Sequence, residues 1–313
     1  MGKLSTNAKI DFLQNYIRQW HQDWQKKHPE NIVGFRIGKK TTKGITGRYY
    51  SIIFQVKKKK KNKNIKNEAI IPEYFIIQFP DEKKRKIKTD VEETGVFHFQ
   101  SAITSEVDSV YSTKFGSAGL FVTDNTNRVY MLTNYHVVAE QMIANNQHYY
   151  RRPINQNQND VKILINNSNQ LLGRFEEGII SHEVDAAFVE LFIQPDQRMN
   201  FLPDQNRVRG RISVRPYPPS FIGKPLTVYS FYNKMGKGGI INDNSSVLYT
   251  NNPNIYFEDI IQITPKITQG GDSGGIVLTP SFAVIGLIIG ADSNYTYAIP
   301  FYKIDDFKNI FII

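Results

Sequence analysis

Apolar residues in this 313-residue chain follow two different periods. Near the N-terminus Leu13, Tyr16, Ile17, Trp20 and Trp24 recur at the three-and-four spacing that lines one face of a helix, and Pro29 bars its continuation. Three β-branched and aromatic runs follow, "NIVGFRIG", "RYYSIIFQV" and "EYFIIQF", separated by glycine, proline or lysine-rich joints. A helix with three or four strands predicts a small α+β module over residues 1–100. From residue 101 the pattern changes to "GLFVT", "RVYMLTN", "VKILIN", "AAFVELFI", "PLTVYSFY", "IIQITP", "GGIVLT" and "AVIGLIIG", broken about every ten residues by Gly, Asn, Asp or Pro. That spacing predicts an antiparallel β-barrel or sandwich over 101–313, with a short helix after His136 and another in "YKIDDFKNIF".

Charge divides the chain at the same place. Residues 1–100 hold 22 Lys and Arg against 10 Asp and Glu, whereas the remainder holds 17 against 19, so the formal excess of +10 belongs to the first module. More than half of those basic residues sit in "KKKKKNKNIKNEA", Lys57 to Ala69, and "KKRKIK", Lys83 to Lys88. The consecutive ammonium groups of Lys57, Lys58, Lys59, Lys60 and Lys61 repel one another and predict an exposed hairpin tip or loop. Such a patch is a foothold for nucleic acid or another anionic surface. No aromatic residues interleave the lysines to stack on bases, and a solvated loop is the stronger explanation.

Apolar residues at 40% and charged residues at 22% place the chain among folded rather than disordered proteins. No stretch approaches the ~20 apolar residues of a membrane span, and the polar start "MGKLSTNAKI" lacks the apolar core of a secretory signal. A cytoplasmic protein with no membrane partner is expected. Zero cysteines exclude disulfides, thiolate metal sites and a cysteine nucleophile. No histidine-rich or carboxylate-rich spacing stands out, so neither metal nor cofactor is expected.

"ITQGGDSGGIVL", residues 267–278, sets Ser273 among glycines that let the backbone turn sharply and bring amide N–H groups up beside the hydroxyl. Attack on an amide carbonyl needs such a hydroxyl, a base to activate it, a third group to fix the base's tautomer, and donors for the oxyanion. His136 follows the strand-like "VYMLTN", where a ring can hang over a cleft. Asp185 precedes the apolar run "AAFVEL", where a partly buried carboxylate can hold an imidazole. The amides of Gly271 and Ser273 are the natural oxyanion donors.

"GSAGLFVT", "MLTNYHVV", "VDAAFVEL", "GGDSGGIV" and "VIGLIIG…YAIPF" resemble, in that order, the motif series of the trypsin-like, chymotrypsin-fold serine peptidases, bacterial members above all. Spacings of 49 residues from His136 to Asp185 and 88 from Asp185 to Ser273 agree with a double barrel. The resemblance covers about residues 100–313, and it implies a mainly β, chymotrypsin-like double antiparallel barrel behind a small α+β module. It implies His136 as general base and then acid, Asp185 as its orienter, Ser273 as nucleophile, and Gly271 with Ser273 as oxyanion hole. The order His, Asp, Ser separates it from subtilisin-like and α/β-hydrolase triads. Only 40 residues follow Ser273, too few for the PDZ module of HtrA proteases.

Two departures accompany the match. Digestive members free a new N-terminus that pairs with the Asp before the nucleophile, here Asp272, yet no basic residue followed by an Ile-Val-Gly-Gly-like start precedes residue 116. Either Asp272 finds another donor or a partner completes the site. The position six before the nucleophile, an aspartate in trypsin, is Ile267, and the wall segment reads Ile289, Gly290, Ala291, so an apolar or small side chain is expected at the cut, with Asp292 also within reach of the pocket.

The expectation is an intracellular serine endopeptidase acting on a protein target, possible partner activation included, as in a stress or antiviral defence effector. The competing expectation is a binding module that keeps the barrel, holds nucleic acid or a protein partner through its basic face, and cleaves nothing. The stretch "IPEYFIIQFPDEKKRKIKTDVEETG" resembles the segment that precedes trypsin-like domains in some bacterial proteins, which implies a Thr-Asp-Val turn at Thr89 to Val91.

Overall fold

The computed structural model describes residues 5–6, 8–10, 12–13, 16–17, 31–42, 45–60, 70–94, 98–99, 106–109, 111–113, 115–153, 160–165, 168–191, 200, 202, 206–212, 214–248 and 255–313. Helical backbone at residues 6, 8–10, 12–13 and 16–17 carries Ile10, Leu13 and Ile17 into an apolar cluster, while Trp20 and Trp24 lie outside the described residues. The strands of the first module are β1 (Ile32–Thr42), β2 (Ile45–Val56), β3 (Tyr74–Gln78) and β4 (Lys84–Glu93), followed by the two-residue β5 (His98–Phe99). Next come β6 (Glu106–Ser109), β7 (Gly116–Ser117), β8 (Leu120–Thr123) and β9 (Val129–Thr133), then α1 (Tyr135–Val138) and α2 (Glu140–Ala144). β10 (Tyr149–Arg151), β11 (Asp160–Ile165), β12 (Ser168–Ile180) and β13 (Asp185–Leu191) complete the middle of the chain. The last part holds β14 (Gly210–Arg211), β15 (Pro225–Tyr229), β16 (Lys237–Leu248), β17 (Tyr256–Thr264), β18 (Ile276–Leu278), β19 (Ala283–Ala291), β20 (Thr296–Pro300), α3 (Phe301–Phe307) and β21 (Phe311–Ile312).

The fold is mainly β, built on two sheets. In one, β15, β18, β19, β20, β17 and β16 follow in order, and a β15–β16 pairing closes them into a six-strand antiparallel barrel. The other runs β21-β8-β9-β13-β12-β11-β6-β7. Its central strands β9 and β13 read as nearly unbroken apolar runs because both faces are covered, whereas β8 at the periphery alternates buried and half-buried. Among the described residues no helix is long and apolar enough to cross a membrane.

The first module joins the barrel's sheet directly. β16 is twelve residues long; its first part pairs with β15, and its last part pairs with β1 at Gly34↔Val247, Phe35↔Ser246 and Arg36↔Ser245. From there the order continues β1-β2-β4-β3. The basic run at Lys83 to Lys88 is largely strand: Lys84, Lys86 and Lys88 are exposed while Arg85 and Ile87 are half-buried, the period-two alternation that a charge count hides. Thr89 to Val91 is strand as well, not turn, paired in parallel with Ile52, Ile53 and Phe54 of β2. Lys57 to Lys60 are exposed where β2 leaves the sheet, and Lys61 lies outside the described residues.

Two contacts fix how these parts meet. Arg36 on β1 donates from Nε to Glu92 of β4 and from Nη1 to Asp243 of β16, each at 3.1 Å. One buried guanidinium cannot neutralise two carboxylates, and burial, opposed by Arg36, pushes the Asp243 carboxyl up to about 7. Between the two sheets, Gly119 lies so close to the chain after Ser273 that a Cβ there would stand 2.2 Å from the Gly274 oxygen and 2.6 Å from Leu287 Cδ1. Only a residue without a side chain fits.

Gly119→Ala is therefore expected to lower the unfolding free energy by about 1–3 kcal/mol through overpacking, read by urea titration. Gly270→Ala, where a Cβ meets nothing within 4 Å, is the control. Equal stability of the two would disprove the contact. Asp243 supplies a pH test. Its folded pKa of about 7 stands above the unfolded ~3.9, so the native state keeps a proton that the unfolded chain releases. Its contribution is complete below about pH 4 and is lost as pH rises through about 7. Asp243→Asn should flatten the fall in urea midpoint between pH 5 and pH 8; an unchanged fall would place that proton elsewhere.

Candidate active site

Pairing of β13 with β9 at Ala187↔Thr133 sets the first residue of β13, Asp185, beside the chain that leaves β9 as Asn134, Tyr135 and His136. Asn134 Nδ2 donates to the Asp185 backbone oxygen at 2.9 Å and locks that register. The Asp185 carboxylate is 0% exposed and is covered by N–H groups from one turn of chain. Its Oδ1 accepts from the amides of Tyr135 (2.8 Å) and His136 (3.3 Å), and its Oδ2 lies 2.5 Å from His136 Nδ1. The imidazole is thereby held by Nδ1, with Nε2 turned away from Asp185. His136 itself is buried, on the single turn of α1.

Ser273 reaches the same region from the barrel. Its hydroxyl donates to the Ile289 oxygen at 3.1 Å, and its own oxygen accepts from the Ser117 amide at 3.1 Å. Gly274 follows at φ +89°, a conformation that L side chains rarely adopt, and a Cβ there would lie 2.6 Å from Thr133 Oγ1. Thr133 is three residues before His136, so the serine turn is packed on the end of the strand that delivers the imidazole. In the turn, Asp272 donates to the Gln269 oxygen and Gly275 to the Asp272 oxygen, while Gly274 donates to Ile288. Among the described residues the Gly271 amide, at φ +109°, has no acceptor.

Asp272 has donors without any new N-terminus. Its Oδ1 accepts from Ser230 Oγ (2.6 Å) and the Tyr232 amide (3.3 Å), and its Oδ2 from the Gln269 amide (2.8 Å) and Asn233 Nδ2 (3.3 Å). Burial raises its carboxyl above the ordinary range, and these bonds, Ser230 first, oppose the rise. Sequence motifs do not reveal this brace, because Ser230 and Asn233 stand some forty residues away with no spacing rule to connect them.

The expected pocket residues Ile267, Ile289, Gly290 and Ala291 are all buried. Ile289, Gly290 and Ala291 lie on β19 beside the serine. Ile267 packs into the barrel's apolar cluster with Leu226 and Ile263, its Cδ1 toward Gly239. Asp292 is buried and engaged in the turn after β19: its Oδ1 accepts from the Asn294 and Tyr295 amides and its Oδ2 from Tyr297 Oη, each at 2.7 Å. His182 clasps the sheets, its Nδ1 2.8 Å from the Tyr256 oxygen. Among the described residues no group of His, Asp or Glu is placed to hold a metal.

No family model and no curated protein matches the sequence. In structure the chain is similar, at low identity, to chymotrypsin-fold serine proteases. A Nocardiopsis protease shares 14% identity over 68% of this chain and 98% of its own, with a TM-score of 0.46. A glutamic-acid-specific serine protease that uses a histidine triad in substrate binding shares 15% over 67% and 98%, at 0.47. The serine protease of a human pathogenic astrovirus shares 14% over 65% and 93%, at 0.34.

The brace on Asp272 can be measured apart from any activity. Ser230→Ala removes a donor from a buried carboxylate and should lower the unfolding free energy by about 1–3 kcal/mol. The exposed Ser220→Ala should stay within about 0.5 kcal/mol of the parent. Denaturant titrations that fail to separate the two would show the brace to be idle.

Proposed function

We propose that the protein is a serine endopeptidase in which His136, Asp185 and Ser273 form the triad. The supporting observation is the 2.5 Å contact of His136 Nδ1 with a fully buried Asp185 carboxylate, whose other oxygen is already engaged by two backbone amides. A carboxylate so occupied fixes one tautomer of the ring and stabilises the imidazolium that forms when Nε2 takes a proton. Ser273 Oγ then attacks the substrate carbonyl carbon as its proton passes to His136. The oxyanion takes N–H bonds from Gly271 and Ser273, each worth about 3–4 kcal/mol in the transition state. Collapse expels the amine, which leaves with the proton from His136, and water, activated by the same ring, releases the acyl group from Ser273.

The proposal takes a protein as substrate and requires no cofactor. It extends to an activating protein partner, because Ser273 is 0% exposed and must be uncovered before a protein reaches it. An intracellular role, and one in stress or antiviral defence, belongs to the same proposal. The basic loop at Lys57 to Lys60 keeps a nucleic-acid binding role as the rival; that would show as binding whose affinity falls steeply with salt, in the absence of proteolysis.

A fluorophosphonate probe tests the triad. The purified protein should be labelled, with labelling abolished by Ser273→Ala and by His136→Ala. Asp185→Asn should slow turnover of a cleaved protein by about 10,000-fold, since the wrong tautomer then faces the serine. Proteolysis that persists in Ser273→Ala would remove the proposal.

A further inference from the structure

β19 has two edges, and along its C-terminal half both are taken. β20 covers one, from Gly286↔Pro300 through Gly290↔Tyr297 to Ala291↔Thr296. The other is filled piecewise by the chain around Ser273. Ile276 pairs with Leu287, Gly274 and Gly275 exchange backbone bonds with Ile288 at 2.8 and 2.7 Å, and the Ser273 hydroxyl donates to Ile289. The next two residues on that edge, Gly290 and Ala291, pair antiparallel with Phe99 and His98 of β5. β5 thus stands in line with Ser273. Its N-to-C direction, from Ala291 to Gly290, leads toward Ile289 and the hydroxyl.

We propose that β5 is a resident occupant of the Ile289–Ala291 edge, a piece of this chain that closes the strand edge beside the Ser273 hydroxyl to any other extended chain. The inference rests on the triad proposed above. An open strand edge binds any extended chain through main-chain hydrogen bonds, so the first competitor is the segment closest at hand. β5 is kept at hand by β4. The Thr94 oxygen, just past β4, accepts from the Ser293 amide (3.1 Å), the Glu93 oxygen from Asn294 Nδ2 (3.0 Å), and Glu92 Oε1 from Tyr295 Oη (2.6 Å). All three donors lie in or beside the turn that follows Ala291. His98 is four residues after Thr94, a reach of at most about 14 Å, so β5 meets the edge at the high effective concentration of a short tether. Burial agrees: Ser273 is 0% and His136 6% exposed.

The chain has no cysteine, so His98→Cys with Ala291→Cys creates a single thiol pair. Paired Cα atoms across antiparallel strands stand about 4.5–5.5 Å apart, within disulfide range. Mild oxidation should join residues 98 and 291, read by peptide mass mapping. The oxidised form should react with a fluorophosphonate about tenfold or more slowly than the same molecules after reduction, and Phe99→Pro, which cannot donate to a ladder, about tenfold or more faster than the parent. Failure of the disulfide to form, or equal rates in the oxidised, reduced and Phe99→Pro proteins, would overturn the occupancy of the edge. A disulfide that forms while no variant is labelled would instead overturn the triad.

Discussion

A carboxylate removed from water must be repaid in hydrogen bonds, and Asp185 shows what that demand does to a chain. Fully buried, it accepts from two consecutive amides and from the ring that the second of those residues carries. To present those N–H groups, the backbone after β9 has to break from strand into a single helical turn, which is α1. That turn in turn fixes where His136 stands. The strand register, the cap-like turn and the orientation of the imidazole are thus three consequences of one buried charge. An asparagine would keep the fold's shape and lose this logic, because half of its amide is a donor.

A second buried carboxylate performs the matching task on the other sheet. Asp272 collects two backbone amides, a hydroxyl and a side-chain amide, and so holds the 269–273 turn from beneath. Neutral donors in this number keep the group satisfied although burial raises its carboxyl. The turn is therefore shaped within the continuous chain, with no need for a charge delivered from a freed N-terminus. The two sheets then meet where Gly119 and Gly274 let backbone approach backbone. Each half positions its own polar groups, and the glycine contact positions the halves.

What could be read from sequence follows the range of the interactions. Strand runs such as "RYYSIIFQV" and "AVIGLIIG" are written in contiguous residues, and β2 and β19 lie where those runs predict. His136 and Asp185 fall at strand ends for the same local reason, and their contact follows once β9 and β13 pair. Other features have no local signature. The lysines of β4 conceal a strand because a strand half-open to solvent tolerates charge at every second position. The union of β1 with β16 joins residues more than 200 apart, and the partners of Asp272 are some forty residues distant. Ile267, placed at a pocket by its offset to Ser273, is buried with Leu226 and Ile263, contacts that its offset alone does not reveal.

The same long-range pairing changes how the first module is held. As a separate globule, residues 1–100 would be a tethered appendage, free to dock substrate or to do nothing. Joined to β16 through β1 and to the β19–β20 turn through Glu92, Glu93 and Thr94, the module instead shares hydrogen bonds with the barrel's sheet and with the turn that ends the strand bordering Ser273. Arg36 makes the coupling electrostatic as well, since it neutralises Glu92 on β4 while it holds Asp243 on β16. A force or ligand that shifts β4 against β16 must break those part-buried bonds. On the function proposed above, control of Ser273 needs no movement of His136 or Asp185. It needs only that a two-residue strand be traded for a longer one, an exchange in which the incoming chain regains the main-chain bonds that the outgoing one loses.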